Sequence, residues 1–137
     1  MILIDTGPLV ALFDPLDASH ARCVDTLGAI REPIATTVPV LTEAFHLLHP
    51  ASRGAECLKD FVAESGLRVL FLDNARLLRA FELMAQYADA PMDLADASLV
   101  AVAEARNLNT IFTIDRRDFD VYRLKRGHRL VPFTVIG

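Results

Sequence analysis

The sequence predicts an α/β fold: a mostly parallel five-stranded sheet flanked by helices on both faces, in a single domain over residues 1–137. Three observations lead to this prediction. Short apolar runs typical of buried strands alternate with longer segments of helical periodicity. Apolar residues make up 53% of the chain, which excludes a disordered protein, and 137 residues suffice for one ordinary domain but not for two. No repeat and no linker rich in Gly, Ser or Pro divides the chain.

In the first half of the chain, proline and glycine mark the ends of predicted elements. The apolar run up to Asp5 predicts a first strand, and Pro8 begins a helix at a position where its missing N–H is not needed. Gly66 is expected to end a later helix as its C-cap. The predicted elements are a strand at 2–5, a helix from 8, a helix at about 19–30, a strand at 33–37, and helices at 38–48 and about 52–65.

The second half continues the alternation of strands and helices. It predicts a strand at 67–72, helices at 73–88 and 92–107, a strand at 110–115 and a fifth strand at 129–135. Parallel strands joined by right-handed crossovers bring their carboxyl ends to one edge of the sheet, where such folds place their sites. Asp5 and Asp115 both end a predicted strand, and we expect them at that edge.

The composition excludes several classes of protein. Cys23 and Cys57 are too few for a disulfide framework and lack metal-binding spacing, so both are expected in or near the core of a reduced, cytosolic protein. The apolar stretches are too short to cross a bilayer, and the start of the chain lacks the basic segment of a signal peptide. We therefore expect a cytoplasmic protein with no membrane partner.

Charge is distributed unevenly along the chain. The net charge of −4 argues by itself against a nucleic-acid partner. Residues 116–129, however, contain six basic side chains and only two acidic ones. This basic segment is either a solvated edge of the fold or a surface that binds phosphates or an acidic partner.

Four acidic residues, Asp5, Glu43, Asp96 and Asp115, border strongly apolar sequence, and Asp93 lies one helical turn before Asp96. Each also has a structural interpretation: a helix cap for Asp5, an N-cap with a capping-box-like pair for Asp93 and Asp96, a rim position for Glu43 and a turn for Asp115. Two carboxylates ~5 Å apart repel by roughly 3 kcal/mol at an effective dielectric constant of about 20. A cluster of such groups would retain protons or bind a cation, and ligand sets made only of oxygen favour Mg²⁺ or Mn²⁺ over zinc.

The triplet Asp5-Thr6-Gly7 also occurs at the active site of aspartic proteases. That site is built from β loops in an all-β protein, whereas Pro8 and the periodicity that follows it predict helices here. A phosphatase of the haloacid dehalogenase type requires a second Asp two residues after the first, and position 7 is Gly. The sequence therefore disfavours both classes of enzyme.

Three segments together resemble the PIN-domain ribonucleases, and among them the VapC toxins of toxin–antitoxin pairs. They are "MILIDTGPLVALFD", "LTEAFHLL" and "MDLADASLVAVAEARNLNTIFTIDRRDF", and their spacing covers nearly the whole chain. The resemblance implies a PIN-like fold and a Mg²⁺-dependent endoribonuclease that cleaves RNA with a metal-activated water, with Mn²⁺ as a possible substitute. By position it assigns the catalytic and metal-binding acids to Asp5, Glu43, Asp96 and Asp115, with Asp93 as a further metal ligand.

The resemblance also indicates how RNA would be bound. Thr6 matches a small hydroxyl residue beside the first Asp, and Thr113 and Asp118 match a strand and a turn that flank the site. Arg116 and Arg117 are placed to receive phosphates next to the cleaved bond, or to form a structural ion pair with a neighbouring acid. We expect Thr6, Thr113, Arg116 and Arg117 to bind substrate.

Two protein partners are implied by the same resemblance: an antitoxin that covers the cleft, and a second copy of the chain bound through the helices after strands 2 and 3. The apolar stripe that would form this homodimer also suits the core, and we expect most of it to be core; it comprises Leu77, Leu78, Phe81, Met84 and Ala85. An alternative function is a non-catalytic PIN fold that binds RNA or a partner, because sequence alone does not demonstrate turnover.

Overall fold

The structure is a computed structural model that describes residues 1–137. Strands and helices alternate along most of the chain, as predicted. The elements in chain order are β1 (Ile2–Ile4), α1 (Thr6–Phe13), α2 (His20–Ala29), β2 (Ile34–Thr37), α3 (Val38–Leu48), α4 (Arg53–Ala63), β3 (Arg68–Leu70), α5 (Asn74–Gln86), α6 (Leu94–Arg106), β4 (Thr110–Phe112), α7 (Arg116–Val121), β5 (Arg123–Arg126), β6 (Arg129–Pro132) and β7 (Thr134–Ile136).

Five strands form one sheet in the order β3-β2-β1-β4-β7, and every neighbouring pair is parallel. From β1 the chain moves outward through β2 and β3, and then returns to the other side of β1 for β4 and β7. The strand order therefore reverses between β1 and β4, which is where open α/β sheets form a crevice beyond their carboxyl ends. The register places Ile4 opposite Phe112, so Asp5 and Thr113 leave the two strands side by side.

The core is centred on β1 and α6. All three residues of β1 are buried, as expected for the middle strand of a parallel sheet. In α6, eight residues are buried and most of them are Ala or Val. Their small side chains allow α6 to pack closely against α3, α5 and β2, and this packing fixes the position of the first turn of α6.

The predicted helices are close to those observed. The bounds of α3 are those predicted, and the other predicted helices begin and end within two residues of the prediction. The prediction that Gly66 caps α4 is wrong, because the helix ends at Ala63 and Ser65 takes the left-handed conformation, with φ of 66°. The first four strands are present but shorter than predicted.

The predicted fifth strand at 129–135 divides into two. Residues 129–132 form β6, which pairs antiparallel with β5 in a separate hairpin, and only β7 joins the main sheet. The hairpin turns at Gly127, whose φ of 61° suits the two-residue turns that connect antiparallel strands. The sequence did not predict β5. A strand is recognised by alternating apolar and polar residues, and within β5 only Leu124 is both apolar and buried.

The apolar stripe of α5 is more exposed than predicted. Leu78 is 60% exposed and Phe81 is 49% exposed, whereas the buried residues of this helix are Ala80 and Leu83. The helix packs mainly on α6, and one neighbour covers only part of so wide an apolar surface.

No helix of the chain is both long and apolar enough to span a bilayer.

Candidate active site: an acidic cleft at the carboxyl ends of the strands

Asp5 stands where β1 ends and α1 begins. Its side chain is buried, and both oxygens accept hydrogen bonds: Oδ1 from the Thr6 N–H at 2.8 Å and Oδ2 from the Thr113 hydroxyl at 2.9 Å. Burial outweighs these two hydrogen bonds and, together with the charges of Glu43 and Asp93, raises the pKa of Asp5 to about 6. This carboxyl group is therefore held rigidly at a place where an added positive charge would be strongly attracted.

Asp93 and Asp96 enter the same cleft from the start of α6. Asp93 is the N-cap of the helix and accepts the Asp96 N–H at 2.8 Å, which confirms the capping interpretation. The carboxylate of Asp96 accepts a hydrogen bond from the Tyr122 hydroxyl at 2.9 Å. Burial, followed by the charges of Asp5 and Asp93, raises the pKa of Asp96 to about 8. Capping and membership of an acidic cluster are thus compatible for Asp93.

Glu43 projects from the middle of α3. It lines an open groove of about 600 Å³ together with Asp93, and the other lining residues are Val38, Pro39, Thr42, His46, Leu94 and Ala95. Its charge contributes to the raised pKa of Asp5. The structure therefore brings Asp5, Glu43, Asp93 and Asp96 together, although they are up to 91 positions apart in the chain.

Asp115 lies at the outer side of this cluster. It is exposed, and its N–H donates to the Thr113 hydroxyl at 3.1 Å. Its closest electrostatic partner is Asp118, whose pKa is raised by burial and then by the hydrogen bond and charge of Asp115. The charge of Asp118 also raises the pKa of Asp96, so Asp118 belongs to the acidic cluster more directly than its predicted flanking place suggests.

The donor chemistry of the cleft suits a hard divalent cation. Its side chains offer carboxylate and hydroxyl oxygens, and the hydroxyl of Thr6 is buried without any hydrogen-bond partner. Nowhere in the chain, however, do three His, Cys, Asp or Glu side chains converge closely enough to coordinate one ion by themselves. The acidic side chains lie around a common space, but their oxygen atoms do not meet at one point.

A search among known families identifies the class of protein. The model of the PIN domain matches residues 2–125, which is most of the chain. The chain belongs to the PIN-domain family. The predicted five-stranded parallel sheet and the resemblance to VapC-type PIN ribonucleases are thereby confirmed.

Individual relatives of this PIN domain point to the same group. Over 139 aligned residues, it is 30% identical to Ribonuclease VapC26 of Mycobacterium tuberculosis, and the alignment covers 98% of this chain and 99% of that protein. Its fold superposes on Mycobacterium tuberculosis VapC20, described as a sarcin-ricin loop cleaving toxin, with a TM-score of 0.79 at 20% identity, covering 86% of this chain and 92% of the other. A toxin–antitoxin complex from Klebsiella pneumoniae follows with a TM-score of 0.67 at 20% identity, covering 88% and 92%.

Two basic residues flank the cleft of the PIN domain. Arg116 and Arg117 are both exposed in the first turn of α7, and neither forms a salt bridge, so the predicted ion pair is absent. Arg116 donates to the carbonyl of Gly137 at 3.4 Å. Arg117 borders a second groove of about 410 Å³, and its charge lowers the pKa of Asp118. Neither guanidinium is paired with a carboxylate.

Sequence reasoning missed Tyr122, which is fully buried and contacts Asp96 directly. The signal was present, because Phe119 and Tyr122 lie three residues apart and therefore share a helical face. The shared face becomes visible only if residues 116–121 are recognised as the short helix α7, and a segment so rich in charged residues is typical of a loop.

Proposed function

We propose that this PIN domain is a Mg²⁺-dependent endoribonuclease and the toxin of a VapBC-type pair. One observation carries the proposal: Asp5, at the end of β1, lies close enough to Asp96, in the first turn of α6, for its charge to raise the pKa of Asp96. Burial raises the pKa of both carboxyl groups, and the charge of Asp5 raises the pKa of Asp96 further, so the pair is stabilised by protons or by a cation. The 30% identity to a ribonuclease over nearly the whole chain supports the same activity.

Asp5 and Asp96 would hold the cation, with Glu43, Asp93 and Asp115 as further ligands, directly or through water. Because three side chains do not converge on one point, water would complete the coordination shell, which is usual for Mg²⁺. When bound, Mg²⁺, or Mn²⁺ in its place, supplies the positive charge that activates a water for attack on phosphorus and offsets charge on the leaving oxygen.

The remaining side chains orient these groups and the RNA. Thr113 holds Asp5 in place, and since its hydroxyl also accepts the Asp115 N–H, we assign it to positioning in preference to substrate binding. Contact between Thr6 and the RNA stays a prediction, because its hydroxyl is buried without a hydrogen-bond partner. Arg116 and Arg117 would bind the phosphates on either side of the cleaved bond.

Two protein partners complete the proposal. An antitoxin would cover the acidic cleft, as suggested by the structural similarity to a toxin–antitoxin complex. A second copy of the chain would bind the exposed apolar side chains of α3 and α5 and the preceding loop, which are Leu47, Phe71, Leu78 and Phe81. Exposed apolar side chains mark a protein interface when they lie in one patch, which the proposed dimer requires of these four.

The decisive experiment compares RNA cleavage by the wild type with cleavage by Asp5→Asn and Asp96→Asn. We expect the wild type to cleave single-stranded RNA with Mg²⁺ and to stop in EDTA, and we expect both variants to lose at least a hundredfold in rate while still binding RNA. The alternative, a non-catalytic PIN fold, draws support from the lack of three converging ligands. It would be favoured if pure wild type bound RNA but left it intact in Mg²⁺ and in Mn²⁺.

A further inference from the structure

Tyr122 reaches the acidic cleft from its buried side. The residue follows α7, is fully buried, and donates its hydroxyl hydrogen bond to Oδ2 of Asp96. A buried phenol requires an acceptor, and many acceptors on the main chain would satisfy it. Here the acceptor is a carboxylate that the proposed function makes a ligand of the cation.

Aromatic packing fixes the direction of this hydroxyl. The ring of Tyr122 meets Tyr87 edge-on with centroids 5.2 Å apart, and meets Phe119 in the same way at 5.1 Å. Phe119 is itself packed edge-on against Phe133 at 5.4 Å. A ring held on two sides cannot swing its hydroxyl away, so the hydroxyl constrains the carboxylate that accepts from it.

The main chain of Asp96 is constrained as well, since its N–H donates to the Asp93 side chain. With backbone and Oδ2 both held, the carboxylate has lost most of its freedom to rotate. We propose that Tyr122 is a positioning residue for Asp96: its hydroxyl takes Oδ2 and leaves Oδ1 as the oxygen that contacts a divalent cation. This inference rests on the proposed function.

Tyr87 provides a matched control. Its ring belongs to the same aromatic group, and its hydroxyl also makes one hydrogen bond, accepting the Arg123 N–H at 3.0 Å. That partner is a backbone group and not an acid of the cleft. If Tyr122 served the core alone, Tyr122→Phe and Tyr87→Phe would affect the protein alike.

The test measures the binding of Mn²⁺ alone by calorimetry to the full-length wild type, Tyr122→Phe and Tyr87→Phe. Groups that orient a metal ligand typically contribute a factor of 10–100 in affinity. We expect Tyr122→Phe to weaken Mn²⁺ binding about tenfold and Tyr87→Phe to change it less than twofold. At saturating Mn²⁺, the rate of RNA cleavage by Tyr122→Phe should recover towards that of the wild type, with KM for RNA unchanged.

A second measurement needs no variant, because the chain contains only two tyrosines. Wild-type protein labelled with ¹³C at the tyrosine ζ carbon gives one resonance for each. On addition of Mg²⁺ we expect the Tyr122 resonance to shift, as the charge on Asp96 is shared with the ion, and the Tyr87 resonance to stay. This measurement keeps the inference testable even if Tyr122→Phe fails to fold, because a bound cation without a shift of the Tyr122 resonance would contradict it.

The outcomes separate the inference from the proposed function. Binding of the cation by the wild type, with equal affinity in Tyr122→Phe and no shift of the Tyr122 resonance, overturns the positioning role and leaves the ribonuclease standing. Failure of the wild type to bind either cation overturns both. Weaker binding in Tyr122→Phe, restored activity at high Mn²⁺ and an unaffected Tyr87→Phe support the positioning role.

Discussion

Asp96 shows how a single carboxyl group links stability to function in this protein. Its pKa is about 8 in the folded chain, against 3.8 for a free Asp side chain, chiefly because of burial and then because of Asp5 and Asp93. Between these two pH values, the folded protein holds a proton that the unfolded chain has released. The free energy of unfolding of the metal-free protein therefore falls as the pH rises from about 4 to about 8.

Asp96→Asn should remove most of this loss of stability. In EDTA at pH 8 we expect the variant to melt roughly 5 °C above the wild type. This corresponds to a gain of about 1.5 kcal/mol in the free energy of unfolding, since about 1 kcal/mol shifts the melting temperature by roughly 3 °C in a domain of this size. At pH 5 the difference should shrink, because Asp96 of the folded wild type is then protonated. Melting curves followed by circular dichroism at both pH values provide the check, and an equal difference at both would contradict the acidic-cluster interpretation.

Thr113 is the residue on which the geometry of Asp5 depends most. Thr113→Val keeps the shape of the side chain but leaves Oδ2 of Asp5 and the Asp115 N–H without their partner. We expect a loss of about 1–3 kcal/mol in stability and at least a tenfold loss in the Mg²⁺-dependent rate of RNA cleavage. Urea denaturation and initial rates measure the two effects.

Thr36→Val serves as the control for that variant. Thr36 is also buried, and its hydroxyl donates to the Ile4 carbonyl at 3.0 Å without touching an acid of the cleft. Its replacement should lower stability to a similar extent and leave the rate at saturating Mg²⁺ nearly unchanged. A comparable loss of rate in both variants would show that the activity depends on stability alone.

At the scale of elements, the hairpin of β5 and β6 is anchored to the last turns of α6. It follows Tyr122 directly, and Leu124 of β5 is buried beside α6, to which Lys125 is tied by its N–H bond to Glu104. Arg126 donates to the carbonyls of Ala103 and Leu108 around the end of α6. The basic segment 116–129 is thus partly structural, whereas Arg116 and Arg117 form no ion pair.

Gly127→Ala tests whether the hairpin requires its glycine. The turn holds Gly127 at a φ of 61°, so an alanine there would have to adopt the left-handed conformation. We expect a loss of about 1 kcal/mol in stability. Gly28→Ala is the matched control, because it lies in α2 with open space around its Cβ and should gain a few tenths of a kcal/mol. Urea midpoints of the two variants should move in opposite directions.

At the scale of the whole molecule, the proposed dimer depends on the exposed apolar side chains of α3, α5 and the loop before α5. Leu47, Leu78, Phe81 and Phe71 are each about half exposed or more. The predicted core role of the α5 stripe is wrong for Leu78 and Phe81, and the alternative, an interface between two copies, gains support from their exposure. Periodicity indicates which face is apolar, but the neighbour that covers it decides whether that face is core or interface.

Phe81→Arg should therefore convert a dimer into a monomer. We expect light scattering after gel filtration to give twice the chain mass for the wild type and a single chain mass for the variant, because a buried unpaired charge opposes association. Leu16→Arg is the control, since Leu16 is 93% exposed and lies outside α3 and α5. A monomeric wild type, or a dimeric Phe81→Arg, would contradict the proposed interface.

The sequence by itself determined the alternation of strands and helices, the placing of Asp5 at a strand end and the family. It did so because periodicity, Pro8 and the capping acid Asp93 act over a few neighbouring residues. Only the tertiary structure decided that Tyr122 touches Asp96, that the Thr113 hydroxyl holds Asp5, and that β7 pairs with β4 in the main sheet. These facts depend on contacts between distant segments, and a local pattern carries no record of which distant segment supplies the partner.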